Sequence, residues 1–169
     1  MLERTPSQTI GPFFHEALRW KDGGRAAFGE SGEKVVITGT VVDGAGEPVS
    51  DAMIETWQRS GPCDEQASGN PYGFARLESG KDGRFRIETQ MPKDSAAPYL
   101  DVTILARGLL KALRTRVYLA PEAQVRADPA LKPIADSPRL ATLVARREGG
   151  EWRWDIRLQG EGETVFFAA

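Results

Sequence analysis

Lys34-Val35-Val36-Ile37-Thr38-Gly39-Thr40-Val41-Val42-Asp43 runs directly into Gly44-Ala45-Gly46-Glu47-Pro48. The first stretch is dense in Val, Ile and Thr, the residues that suit a pleated, half-buried strand. Val35, Ile37 and Val41 fall on one face of it, because side chains alternate along a strand. The second stretch is a turn, with glycines free to take positive φ and a proline to stiffen the exit. Asp51 to Gln58 then reads as the return strand, with Met53 and Trp57 sharing a face.

The same rhythm continues along the chain. Residues 59–73 carry Gly61-Pro62, Gly69-Asn70-Pro71 and Gly73 and read as a long loop. Gly80-Lys81-Asp82-Gly83 is a tight turn. Arg84 to Thr89 alternates polar and apolar side chains, as a strand with one wet face does. Tyr99 to Ala106 is a strand with Leu100, Val102 and Ile104 on one side. Ala112 to Leu119 follows, with Leu113, Val117 and Leu119 inward and Arg114 and Arg116 outward. Pro121 to Leu131 is the best helix candidate. Arg139 to Arg146 and Glu151 to Leu158 bracket Glu148-Gly149-Gly150, a hairpin signal. In the second of these Trp152, Trp154, Ile156 and Leu158 face one way. Thr164 to Phe167 adds a short last strand. Many short strands with few helices predict a mainly β fold, a β-sandwich with one short helix. Residues 1–33 form an extended N-terminal arm, since Thr5-Pro6 and Gly11-Pro12 resist helix, with room for a helical turn from His15 to Trp20. Residues 34–169 form the sandwich, giving a single domain overall.

The bulk properties narrow the function classes. The chain has 169 residues, enough for one domain with a real core. Net charge is −2, from 22 basic and 24 acidic residues. No basic excess points to nucleic acid or a membrane surface, and no apolar run reaches the length of a membrane span. The first residues lack the pattern of an export signal, and a single cysteine, Cys63, fits a reducing cytoplasm.

Histidine is the scarcest resource. His15 is the only one, and with Cys63 it offers a metal two ligands at most, where zinc and iron sites take more. A serine hydrolase needs that one histidine beside a nucleophilic turn, and no Gly-x-Ser-x-Gly is present. Glycines 44, 46, 80 and 83 match neither a phosphate loop nor a dinucleotide fingerprint and belong to turns. Tyr72, Tyr99 and Tyr118 are candidate anionic ligands only if a ferric ion is present; otherwise their rings pack and their hydroxyls find partners. Arg107, at the end of an apolar strand and before Gly108, is either a solvated charge or a clamp for a carboxylate. Trp152, Trp154, Phe166 and Phe167 have two readings of equal weight, core and subunit interface.

Four segments together resemble the intradiol ring-cleaving dioxygenases. They are Thr5-Pro6-Ser7-Gln8-Thr9-Ile10-Gly11-Pro12-Phe13-Phe14; the Gly39 to Gln58 stretch; Leu105-Ala106-Arg107-Gly108 with Thr115-Arg116-Val117-Tyr118; and Ile156 to Phe167. The resemblance covers most of the chain and is greatest to the alpha chain of the two-chain members. It implies non-haem Fe(III), cleavage of protocatechuate by O2 to 3-carboxy-cis,cis-muconate, and assembly of alpha and beta chains into larger oligomers. The beta chain supplies two tyrosine and two histidine ligands, the histidines as His-x-His. Here that strand reads Tyr99-Leu100-Asp101, so the resemblance implies a non-catalytic alpha chain with the iron held by its beta partner. It also assigns Thr9, Gly11, Pro12, Phe13 and Arg107 to the lining of the substrate pocket. Two other readings remain: a β-sandwich module that binds a small ligand or carbohydrate, and a self-sufficient enzyme that uses carboxylates for a metal.

Overall fold

The computed structural model describes residues 17–19, 21–26, 32–58, 73–93 and 95–168. The strands it describes form two sheets. In the first, β4 (Arg84–Gln90), β1 (Lys34–Val42), β8 (Glu151–Arg153) and β7 (Arg146–Glu148) lie in that order, and β9 (Ile156–Arg157) also pairs with β1. In the second the order is β3 (Phe74–Glu78), β2 (Met53–Trp57), β5 (Tyr99–Leu105) and β6 (Leu113–Tyr118). Val35, Ile37 and Val41 of β1, Ile87 of β4, Ile54 of β2, and Leu100, Val102 and Ile104 of β5 share one buried cluster. That cluster draws on both sheets, so the fold is a β-sandwich. Among the described residues no helix is long and apolar enough to cross a membrane.

The expected hairpin between β1 and the strand after it does not form. β1 pairs antiparallel with β4 from Lys34 to Thr40, whereas β2 pairs with β3 and β5 in the other sheet. The turn at residues 43–48 is real, with Asp43 Oδ1 accepting from the N–H groups of Ala45 and Glu47 at 2.9 Å each. It closes on a single bridge, Val42 to Pro48, and then sends the chain across the sandwich. Met53 and Trp57 do share a face, but it is the outer one: Ile54 and Thr56 point inward and Trp57 is half exposed. β3 has no counterpart in the sequence-based expectations, because Phe74-Ala75-Arg76-Leu77-Glu78 lacks clean alternation; its pairing with β2 makes it a strand.

β1 has neighbours on both edges, and the second edge explains Gly39. β8 and β9 run parallel to β1 with a break between them at Trp154-Asp155. At the break the Trp154 N–H donates to the Thr38 carbonyl (2.8 Å), and the Thr40 N–H donates to Asp155 Oδ1 (2.8 Å) instead of to a backbone oxygen. The chain approaches so closely that a Cβ on Gly39 would fall onto the Trp154 carbonyl oxygen and within 2.5 Å of the Phe85 ring.

The helical region departs from expectation. In place of one helix over 121–131 there is α1 (Glu122–Val125), followed by two 3-10 helices, Pro129–Ile134 and Pro138–Leu143. Asp128 and Pro129 stop the first helix. Asp128 is extended and its carboxylate accepts from the Ala130 N–H at 2.8 Å, while proline cannot donate to the preceding turn. Ser137 and Pro138 repeat the device, so most of the strand expected over 139–146 is replaced by 3-10 helix, and only Arg146 of it belongs to β7. The β7–β8 hairpin turns through Gly149 (φ 57°) and Gly150 (φ 90°), as a two-residue loop requires. Val125, Leu131, Leu140 and Leu143 bury against Tyr118 in a second cluster.

The aromatic tail resolves by residue. Trp152 and Trp154 are buried in the main core, with the Trp154 indole N–H donating to the Thr142 carbonyl at 2.9 Å. Phe166 and Phe167 pack partly buried on the two clusters, and the expected last strand reduces to one bridge between Phe167 and Arg114. Gly39→Ala is expected to destabilise the fold by on the order of 4 kcal/mol, since neither backbone nor core ring can yield cheaply; equilibrium urea unfolding measures it.

Candidate functional site

β5 is central in its sheet, flanked by β2 and β6. Leu100, Val102 and Ile104 point into the core, so Tyr99 and Asp101 point out and the strand delivers Arg107 just beyond its end. Ala106 is buried, Gly108 turns the chain at φ 86°, and the Leu109 N–H donates back to the Ala106 carbonyl at 3.2 Å. Between these anchors the Arg107 side chain is 69% exposed, yet its Nη2 lies 2.6 Å from Oδ2 of Asp51, whose side chain is 18% exposed. Arg107 is therefore solvated, and it is also paired with a carboxylate of its own chain. Leu110, at the tip of the same loop, is almost fully exposed.

Asp51 was not singled out by its sequence context, where it reads as the first residue of a strand. The structure places it in the turn before β2 with φ 61°, a left-handed conformation that Asp tolerates better than most residues. The available signal is an Asp between Ser50 and Ala52, a polar turn residue directly before an apolar strand.

A second constellation lies on the outer face of the same sheet. Trp57, Gln58, Tyr99, Asp101 and Arg116 line an open cavity of about 500 Å³. Trp57, Asp101 and Arg116 are cross-strand neighbours, in register across β2, β5 and β6. The Arg116 Nε donates to Asp101 Oδ1 (3.0 Å) and its Nη1 to the Tyr118 hydroxyl (3.3 Å). Tyr118 in turn donates to Asp128 Oδ2 at 2.7 Å. The guanidinium also stacks over Tyr99, 4.2 Å from the ring centre. Burial alone would weaken its hold on a proton, but the hydrogen bonds to Tyr118 and Asp101 outweigh that and keep Arg116 above the usual arginine range. Burial pushes the Tyr118 phenol well up, with Arg116 opposing and Asp128 reinforcing. The Tyr118 hydroxyl is engaged on both sides, accepting from Arg116 and donating to Asp128.

Thr9, Gly11, Pro12 and Phe13, with His15, Cys63 and Tyr72, lie outside the described residues. Of the pocket residues anticipated from sequence, the structure places Arg107 alone.

A curated relative, the protocatechuate 3,4-dioxygenase alpha chain of Burkholderia cepacia, is 40% identical over 193 aligned positions, covering 98% of each chain. The protein of the same name from Pseudomonas putida is 34% identical, over 99% of this chain and 97% of that one. This chain belongs to the protocatechuate 3,4-dioxygenase alpha chains of the intradiol dioxygenase family. Among solved structures, the dioxygenase domain of a dioxygenase carbohydrate-binding protein fusion from Streptomyces sp. SirexAA-E superposes with a TM-score of 0.59 at 21% identity. That match covers 94% of this chain and 99% of the other, and it carries the fold alone. No family model matches the chain. Nothing in these likenesses favours a carbohydrate-binding role.

The family implies iron in the complex. The described residues of this alpha-type chain do not fit it: no three His, Cys, Asp or Glu side chains among them converge on a common point. Tyr99 and Asp101, on the strand that the resemblance aligns with His-x-His, are committed to Arg116, whose fixed positive charge repels a metal cation from the same spot. The carboxylate-metal reading finds no support among the described residues for the same reason.

Arg116→Met is expected to leave Asp101 and Asp128 without their shared cation. Lost charged hydrogen bonds of this kind are typically worth about 2 kcal/mol, which lowers the midpoint of thermal unfolding by roughly 4–8 °C in a chain of this size. Differential scanning calorimetry checks it.

Proposed function

We propose that this chain is the non-catalytic alpha subunit of a protocatechuate 3,4-dioxygenase. Its beta partner holds the Fe(III), and the alpha chain completes the pocket in which protocatechuate is cleaved by O2 to 3-carboxy-cis,cis-muconate. The observation that carries this reading is the match along almost the whole length of two alpha chains. The assembly is a hetero-oligomer of alpha–beta protomers working in the cytoplasm on small aromatic substrates. Iron, when bound in the partner, supplies the chemistry at the ring. The work of this chain is binding and orientation.

Arg107 is the residue suited to that work. The substrate bears a carboxylate opposite its two hydroxyls, and gripping the carboxylate fixes where the hydroxyls point. A guanidinium offers five donors in a planar fork that matches a carboxylate. Thr9, Gly11, Pro12 and Phe13 of the arm complete the lining; Gly11 permits close backbone approach and Pro12 stiffens it.

Expression alone and together with a beta chain tests the subunit assignment. Iron and ring cleavage are expected only in the co-expressed complex, and either one in the alpha chain by itself overturns the reading. Arg107→Ala in the complex is expected to raise KM for protocatechuate by roughly 10- to 100-fold, the equivalent of one charged hydrogen bond or slightly more. Iron content, read by metal analysis, stays unchanged.

A further inference from the structure

We propose that Asp51 is the positioning residue for Arg107, holding one edge of the guanidinium so that the rest faces the substrate carboxylate. This rests on the reading of Arg107 as the carboxylate receptor. An arginine exposed to the extent of Arg107 normally samples many rotamers, and the freedom lost on capture weakens binding. Here one rotamer is selected before substrate arrives.

The selection follows from strand register. β2 and β5 pair Met53 with Leu105 and Ile54 with Ile104. Carried two residues past the end of the ladder, the same register sets Asp51 opposite Arg107. The nearest approach is Nη2 to Oδ2, at 2.6 Å. A guanidinium carries five donors, so one carboxylate does not exhaust the fork.

The holder is itself held. The Asp51 N–H donates to the Ser79 carbonyl at 3.1 Å. The next residue, Ala52, is fully buried; its N–H donates to the Ser79 hydroxyl (2.9 Å), and its carbonyl accepts from the Ser79 N–H (2.9 Å). That hydroxyl donates to the Val49 carbonyl at 2.7 Å, and Ser79 is itself buried. Ser79 thus locks the turn on both sides of Asp51. On the opposite strand, Ala106 and Leu109 fix the backbone around Arg107. The ion pair joins two rigid loops, one from each of two adjacent strands.

The same carboxylate could instead act as a quencher, cancelling the charge that attracts the substrate. The two roles predict opposite signs. Removing a quencher tightens binding of an anion; removing a positioner weakens it.

The test uses the alpha–beta complex with Asp51→Asn and Asp51→Gly. Glycine accepts the left-handed backbone at this position without strain, and asparagine tolerates it. Binding is measured without oxygen, by spectral titration with protocatechuate and with catechol, which lacks the carboxylate. The expected result is a loss of roughly 5- to 10-fold in protocatechuate affinity for Asp51→Gly, with a smaller loss for Asp51→Asn and unchanged catechol affinity. In an Arg107→Ala background, Asp51→Gly is expected to add nothing. Unchanged or tighter protocatechuate binding in Asp51→Gly overturns the proposal, as does an equal loss for catechol or a further loss beyond Arg107→Ala. If Arg107→Ala weakens protocatechuate binding while Asp51→Gly does not, the positioning role falls and the carboxylate reading survives. If Arg107→Ala has no effect, both fall.

Discussion

The burial of Leu100, Val102 and Ile104 between the two sheets is the constraint on which the functional surface depends. Side chains alternate along a strand, so a slip of one residue would expose all three and bury Tyr99 and Asp101. Each large aliphatic side chain so buried stabilises the fold by roughly 1.5–3 kcal/mol, and three together make the slip prohibitive. With β5 pinned, Tyr99 and Asp101 must face outward, β2 and β6 must present Trp57 and Arg116 beside them, and the strand must end where Arg107 meets Asp51.

The outer face of that sheet has the shape of a small-molecule cavity and the charge arrangement of a structural network. Arg116 serves Asp101, Tyr118 and Asp128 and stacks on Tyr99. A permanent cation occupies the ground that a metal would need, and the tyrosine hydroxyl beside it is engaged on both sides. The described network needs no metal to hold it together, and an accessible arginine of this sheet, Arg107, lies instead at the strand end.

Much of this was legible from residues. Strand alternation identified β1, β4, β5 and β6 and their inward faces, because a half-buried strand writes its two environments into alternate positions. The paired glycines at 149 and 150 marked a hairpin that the fold contains. Arg107 stood out as a cation after an apolar strand. Three features were not legible. β3 has an irregular pattern and exists because β2 offers it an edge. The helix expected over 121–131 fails at Asp128-Pro129, a local stop that the apolar spacing masks. Asp51 lies far from Arg107 along the chain, and no local signal joins them.

By itself the sequence determined most of the strands, the turns and the family likeness, since these depend on local preference and on the order of short motifs. It also limited histidine to one, a matter of composition. Only the tertiary structure decided that β1 and β2 part into different sheets, because strand partners are chosen by the burial of whole faces and not by the turn between them. The register of β2 against β5 then set Asp51 against Arg107. An ion pair across two strand ends is a property of that register, and no single segment of the chain contains it.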